Sequence, residues 1–293
     1  MRIAALLLIS LTLRADDLTN KMTARVSEEA AAFLKAAPGV LGTETLVHRE
    51  IKPPARFHPR VGAGAMATPE TQWMEREIVS EYGFSTFASA SGAPPSVHEL
   101  RQITSVDGKK ISDRKKAQDS LAAAITANQD AQKRALLKDF EKAGLAGAAT
   151  DFGQILLLFT RRDIDRYEFT PRPAAMIGYD RVLVWSYKQL DNRDALTVFE
   201  PKQARRLKIE GEIRVRAADF VPLQITLMTH EGDSPDSVRE EATVTYKESP
   251  YGALLPSSTE HRELRNGKVV MENRFAYSNF HKFGASSGIT FPQ

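Results

Sequence analysis

From about Arg205 to Phe283 the chain sorts apolar from charged positions with a period of two. Leu207, Ile209, Gly211, Ile213 and Val215 share one parity, while Arg206, Lys208, Glu210, Glu212, Arg214 and Arg216 share the other. This predicts a pleated strand with one face in a core and the other in water. Leu223, Ile225 and Leu227 repeat the pattern in the next strand, and Ala242, Val244 and Tyr246 in the one after. Glu260–Leu264 pairs naturally with Val269–Tyr277 across the Asn266-Gly267 turn. Arg166–Thr170 and Ala195–Phe199 are shorter candidates. In Arg181–Tyr187, Leu183, Trp185 and Tyr187 fall on one face and Val182 and Val184 on the other. Apolar residues on both faces suit a central strand or one lining a cavity.

The N-terminal half is less regular. Asp17–Ala37 reads as a helix that Pro38-Gly39 stops. Glu44–Ile51, Gln72–Phe87 and Val97–Val106 read as strands, and Asp107-Gly108 suits a tight hairpin. One long polar helix is expected over Ser112–Ala143, with a narrow stripe of Ala117, Leu121, Ala124, Ala131 and Ala135 widened by Ile125, Leu136 and Phe140. Asp151 is placed to cap a shorter helix holding Ile155, Leu156 and Phe159. Lys52–Pro69 and Ala88–Ser96, rich in small residues and Pro, read as loops. The expected class is α+β, an antiparallel sheet with helices packed on one face.

Composition adds a compartment. Ile3–Leu13 is an apolar run after Arg2, broken only by Ser10 and Thr12, with Ala15 at a cleavage position before Asp16-Asp17. That is the plan of a secretory signal peptide, too short to span a bilayer; the alternative is the start of a core helix. The expected division is a leader over 1–15, a helix, strands and a long polar helix over 16–150, and a β-rich half over 151–293, the last two forming either separate units or one continuous domain. Cleavage would remove Arg2 and Arg14 from 40 basic residues set against 37 acidic ones, leaving the rest near neutral. A near-neutral surface offers no footprint for nucleic acid. The chain has no cysteine, which removes disulfides, thiolate metal sites and lipid attachment at an N-terminal cysteine. A periplasmic or secreted protein without a transmembrane anchor is expected.

Gly211-x-Ile213-x-Val215, a short turn, and Phe220-x-Pro222-Leu223-Gln224-Ile225 together resemble a strand pair of the periplasmic lipoprotein-carrier (outer-membrane lipoprotein-sorting) superfamily. Leu254-Leu255-Pro256, Arg265-Asn266-Gly267 and Phe275-Ala276-Tyr277-Ser278-Asn279-Phe280 extend the likeness. It covers roughly the half from Asp151 onward, and is closer still to uncharacterised secreted bacterial proteins of this length. The resemblance implies a curved half-barrel, helices over its mouth and an apolar hollow able to take an acyl chain. The carriers' functional arginine matches no residue here by motif.

Few residues suggest chemistry. Gly284-Ala285-Ser286-Ser287-Gly288 has the letters of a nucleophile elbow, but no histidine follows it. Gly62-Ala63-Gly64 lacks the lysine and context of a phosphate loop. Among His48, His58, His98, His230, His261 and His281 no two stand three or four apart; His48 and His98 could meet only across strands, and His58 and His230 fall in expected loops. Arg161-Arg162-Asp163 and Arg205-Arg206 read as solvated charge or as contacts for acidic lipid headgroups, and Asp233 and Asp236 flank Pro235 in a loop. No catalytic residue, metal site or cofactor is expected. The expected function is non-catalytic binding of a lipid, acyl chain or other apolar group, by Leu183, Trp185, Tyr187, Ile213, Val215, Leu223, Ile225, Phe275 and Tyr277; the alternative for Leu183, Trp185 and Tyr187 is a plain core. The partner would be a lipid or lipoprotein; the alternative is an interaction or sensor module that binds an envelope protein.

Overall fold

The computed structural model describes residues 2–52, 71–87, 96–127, 130–142, 151–190, 196–199, 204–230 and 238–283, with side chains for most of these from residue 16 onward. Its frame is one antiparallel sheet. The strands are β1 Val40–Ile51, β2 Trp73–Phe87, β3 Ser96–Val106, β4 Lys109–Lys110, β5 Tyr167–Ile177, β6 Asp180–Gln189, β7 Leu196–Phe199, β8 Ala204–Arg216, β9 Pro222–His230, β10 Val238–Glu248, β11 Leu254–Arg265 and β12 Lys268–Lys282. They are ordered β4-β3-β2-β1-β12-β11-β10-β9-β8-β6-β5, with β7 beside β8 off this path. The sheet is open and curved, a half-barrel of the α+β class.

The alternation in β8 gives its register. Ile213 pairs with Trp185 of β6 and Ile225 of β9, and Val215 pairs with Leu183. Ile209, Ile213 and Val215 are buried, while Glu212 and Arg214 are half-exposed and joined by a 2.8 Å ion pair. Both expected hairpin turns are present. Asp107 and Gly108 have φ of 51° and 74°, and Asn266 and Gly267 have 53° and 69°, the left-handed region that Asn, Asp and Gly tolerate best.

Helix α1, Arg2–Ala36, continues the apolar N-terminal segment without a break, and its Met22, Val26, Ala30 and Phe33 are buried in the main core. The 3-10 turn Ile155–Phe159 packs beside it. Together they fill the concave face of the sheet. No described helix is long and apolar enough to cross a membrane.

The long polar helix is two helices, α2 Arg114–Thr126 and α3 Asp130–Lys142, because Ala127 turns extended at ψ 132°. Asp113 caps α2, its side chain accepting from the Lys115 backbone N–H at 3.0 Å. The first part of the alanine-rich stripe is buried as expected, with Ala117, Leu121 and Ala124 inside, whereas Ala131 and Ala135 of α3 are exposed because the break after α2 turns α3 to bury Leu136 instead. Leu121, Ala124 and Leu136 of α3 meet Leu41, Phe87 and Leu100, which alternate with the concave residues along their strands. Helices therefore cover both faces of the sheet, α1 the concave one and α2–α3 the other.

Asp151 caps no helix. The segment after it is a 3-10 turn preceded by Gln154, and the Asp151 carboxylate instead accepts from His98 Nδ1 at 2.7 Å and the Glu99 backbone N–H at 3.0 Å. His230 ends β9 rather than lying in a loop. The loops after Lys52 and after Phe87, His58, Gly62-Ala63-Gly64, Asp233, Asp236 and the Gly284–Gly288 stretch lie outside the described residues.

Candidate functional site: the concave face and its buried charges

The residues proposed from sequence share the concave face. Trp185, Tyr187, Ile213, Val215, Ile225, Phe275 and Tyr277 are buried in one core, with Leu183 and Leu223 half-buried against it. They divide between two regions. Around β6 and β8, the Phe159 ring meets Tyr187 edge-on at 4.9 Å, and Trp185 Nε1 donates to Thr19 Oγ1 of α1 at 3.0 Å. Around β12, Tyr277 lies 4.8 Å from the Tyr82 ring and parallel to Phe275 at 6.2 Å. Trp185 is only 2% exposed, so α1 seals this region.

Burial dominates the ionisation of the phenols. It pushes Tyr187, Tyr82, Tyr246 and Tyr277 above the ordinary tyrosine range, and Tyr167 up to about 12. At neutral pH these rings are uncharged hydrogen-bonding groups.

A cluster of charges lies under the aromatic rings of β2 and β12. Arg101 of β3 donates through Nε to both Glu44 oxygens, at 2.7 and 3.0 Å, and through Nη2 to Glu99 Oε2 at 2.5 Å. The side chains of Arg101, Glu44 and Glu99 are 4%, 1% and 0% exposed. The guanidinium also faces the Tyr82 and Phe275 rings, at 5.5 and 5.7 Å. Burial opposes the charge on Arg101, but Glu44 and Glu99 outweigh it and hold the guanidinium charged. Glu99 goes the other way. Burial first, against the opposing pull of Arg101 and with the negative charges of Asp151 and Glu44 added, pushes its carboxyl up to about 8. Glu99 Oε1 and Tyr82 OH are buried without a hydrogen-bond partner among the described residues.

A second polar line crosses the strands nearby. His48 Nδ1 donates to Asn273 Oδ1 at 2.6 Å, Asn273 Nδ2 donates to His261 Nδ1 at 3.0 Å, and His261 Nε2 donates to Glu240 Oε2 at 3.0 Å. This assignment gives each of the three bonds one donor and one acceptor. His48 therefore meets Asn273, not His98. Arg161-Arg162-Asp163 is partly a local lock, with Asp163 taking ion pairs from Arg162 and Arg166.

Sequence reasoning missed this polar centre. A signal existed: Glu99 and Arg101 share the parity of Val97, and Glu44 that of Leu46, so each sits on a core-facing row. Which opposite charges meet there depends on strand order, because β3 and β1 are not neighbours.

Beside Tyr277 the surface opens into a cleft of 280 Å3, bordered by Tyr251, Leu255, Pro256 and Phe280 and by Lys247 and Glu248 at its polar side. This lies at the lower edge of the small-ligand range of about 300–1,000 Å3.

No family model and no curated protein matches the chain. Among solved structures it is similar to a putative outer membrane lipoprotein-sorting protein domain from Vibrio parahaemolyticus, at 10% identity and TM-score 0.32 over 90% of this chain and 94% of that one. It is also similar to a LolA superfamily protein from Nitrosomonas europaea, at 8% identity and TM-score 0.32, covering 88% and 92% of the two chains. A DUF1329 family protein from Desulfovibrio piger aligns at 7% identity and TM-score 0.32, covering 91% and 95%. Lipoprotein sorting is thus named both by the sequence resemblance and among the structural neighbours. At that TM-score the likeness carries no argument about what this chain does.

Proposed function

We propose that this chain is an exported, non-catalytic protein of the cell envelope that binds an acyl chain, lipid or other apolar group at the concave face of its sheet. One observation carries the reading: around β6 and β8 the concave face is an aromatic and aliphatic surface covered by a separate element, α1, chiefly through apolar contact. The side-chain ties between this helix and the rest include Ser27 Oγ donating to the Phe159 carbonyl at 2.9 Å and the Trp185–Thr19 bond. Apolar contact is non-directional, so an acyl chain could replace part of the helix at modest cost. The cleft beside Tyr277 borders Leu255 and Tyr277 of the same core. The apolar Ile3–Leu13 run supports export, with cleavage leaving Asp16–Ala36 as the cover.

The test is mass spectrometry of organic extracts from gently purified protein, together with tryptophan fluorescence in a Trp73→Phe background during lipid addition. A saturable change at Trp185 and a co-purifying lipid are the expected results. No response to any lipid class would sink the reading.

A second reading, a module that binds an envelope protein, is favoured by the β5–β6 hairpin. β5 is an edge strand, and the hairpin tip leaves Met176 and Tyr179 largely in solvent. Loss of a pulled-down partner on replacing both residues by Ser, with lipid binding absent, would put this reading first.

A further inference from the structure

Asn273 stands between two histidine rings and offers each a different partner. Its Oδ1 lies 2.6 Å from His48 Nδ1 on β1, and its Nδ2 lies 3.0 Å from His261 Nδ1 on β11. An amide has one accepting end and one donating end. While both bonds are kept, one of the two Nδ1 atoms carries a proton and the other is bare. The far nitrogen of each ring faces a carboxylate: His261 Nε2 lies 3.0 Å from Glu240, and His48 Nε2 lies 3.6 Å from Glu50. His261 is fully buried, with the Phe152 ring 4.5 Å away, whereas Glu50 is 37% exposed.

We propose that this line is a proton-driven switch: a proton taken up by His261 on β11 turns the Asn273 amide over and changes the tautomer of His48 on β1. The switch is independent of what the concave face binds. In the resting arrangement His48 carries its proton on Nδ1 and donates to Asn273 Oδ1, while His261 carries its own on Nε2 and donates to Glu240. His261 Nδ1 is then the bare nitrogen that accepts from Asn273 Nδ2. A proton arriving there sets N–H against N–H in a buried site, where a lost hydrogen bond is not replaced by water. Half a turn of the amide removes the conflict. Oδ1 then accepts from His261, and Nδ2 donates to His48 Nδ1, which gives up its proton. His48 takes one proton at Nε2 in exchange and donates it to Glu50. The net uptake is one proton, every bond of the line is kept, and the charge rests on His261.

The surrounding charges place it there rather than on His48. His261 faces Glu240 of β10 and, two residues along its own strand, Glu263, which Arg265 engages at 2.7 Å. Asp151, the neighbour of Phe152, is taken by His98 and the Glu99 backbone. His48 has Glu50 at the longer distance and stands directly opposite Arg76 of β2, itself paired with Asp107. Glu44, farther along β1, is engaged by Arg101, which also holds Glu99. On β12 the row of Met271, Asn273 and Phe275 holds no ionisable side chain. A carboxylate at hydrogen-bond distance holds an imidazolium more firmly than a farther one opposed by a guanidinium. The output appears two strands from the uptake: His48 Nε2 changes from acceptor to donor beside Glu50, where the line reaches solvent.

The experiment is an acid titration of the full chain, labelled with 15N in histidine, in which long-range 1H–15N NMR reads the protonation of each ring nitrogen. His48→Gln and His261→Gln assign the two sets of signals. At the alkaline end His48 should carry its proton on Nδ1 and His261 on Nε2. As His261 becomes doubly protonated, His48 should pass to the Nε2–H tautomer with the same midpoint. Asn273→Leu removes the amide, and His48 should then show no change at the His261 midpoint. Glu240→Gln, at the far end from His48, should move both changes together to lower pH by about one unit; it carries the test if Asn273→Leu fails to fold. A His48 tautomer that stays constant through the His261 transition overturns the switch. So does a His48 that becomes doubly protonated first, a His261 that stays neutral until the chain unfolds, or a pair of midpoints that separate in Glu240→Gln.

Discussion

The Tyr187 ring fills the gap that Gly211 leaves in the neighbouring strand. The two residues are directly paired across β6 and β8, and the Tyr187 hydroxyl continues past Gly211 to donate to the Thr226 carbonyl of β9 at 2.7 Å. A Cβ on residue 211 would stand 2.0 Å from that same carbonyl oxygen and 2.9 Å from the hydroxyl. One glycine thus lets a phenol on β6 hydrogen-bond the backbone two strands away. Gly211→Ala must move backbone, so it should cost about 3 kcal/mol or more, at the upper end of overpacking. Tyr187→Phe keeps the ring and should cost about 1 kcal/mol. Urea unfolding of both variants checks the order; a Gly211→Ala protein as stable as the parent would refute the contact.

The register of β8 predicts an asymmetry between adjacent residues. Ile213 is fully buried, whereas Glu212 is half-exposed in an ion pair with Arg214. Ile213→Ala should lower stability by about 2–5 kcal/mol. Glu212→Ala should cost no more than about 1 kcal/mol, since solvent screens the pair. Equal losses in denaturant titrations would contradict the face assignment.

Removing Arg101 should hurt more than removing the whole cluster. Arg101→Met leaves Glu44 buried beside Glu99 without a cation, an arrangement that costs about 3–5 kcal/mol. Adding Glu44→Gln and Glu99→Gln to that variant should recover a good part of the loss, because the uncompensated charge is then gone. Thermal unfolding of the single and triple variants measures the difference. A triple variant no more stable than Arg101→Met alone would show that uncompensated carboxylate charge is not the source of the loss.

Glu99 also fixes a pH dependence. Its carboxyl binds a proton more tightly in the folded chain, near pH 8, than the ordinary value of 4.5 allows when unfolded. Between those values the folded state holds the extra proton, so stability should fall as pH rises from 4.5 through about 8. Glu99→Gln, which carries no such proton, should flatten that slope and be more stable than the parent on the alkaline side. Unfolding midpoints measured across this window give the comparison, and parallel profiles would exclude Glu99 as the source.

Much of the sheet was legible because its strands obey a local rule. The alternation of β8, the paired faces of β6 and the turns at Asp107-Gly108 and Asn266-Gly267 each follow from neighbours in sequence. The aromatic part of the concave face came with them, since Trp185, Ile213 and Ile225 were found by parity alone. Three things were not local. The break at Ala127 interrupts a run that has helical propensity on both sides. Asp151 has the chemistry of a cap, but two donors on β3 claim it. The Glu44–Arg101–Glu99 cluster exists only because β2 separates β1 from β3 by one strand, which no pattern in either segment encodes.

The middle of the sheet is a seam between the beginning and the end of the chain. β1 has β2 on one side and β12 on the other, and His48 and Asn273, hydrogen-bonded across that seam, are 225 residues apart in sequence. Before β12 arrives, β1 and β11 each present an unsatisfied edge, and the strands from β4 to β1 and from β11 to β5 are two separate half-sheets. Pairing over such a separation belongs to the slow, non-local regime of folding, milliseconds to seconds or longer. Residues 268–282 are therefore the timing element of the molecule: whatever holds that one segment back during synthesis or transport keeps the entire sheet from closing.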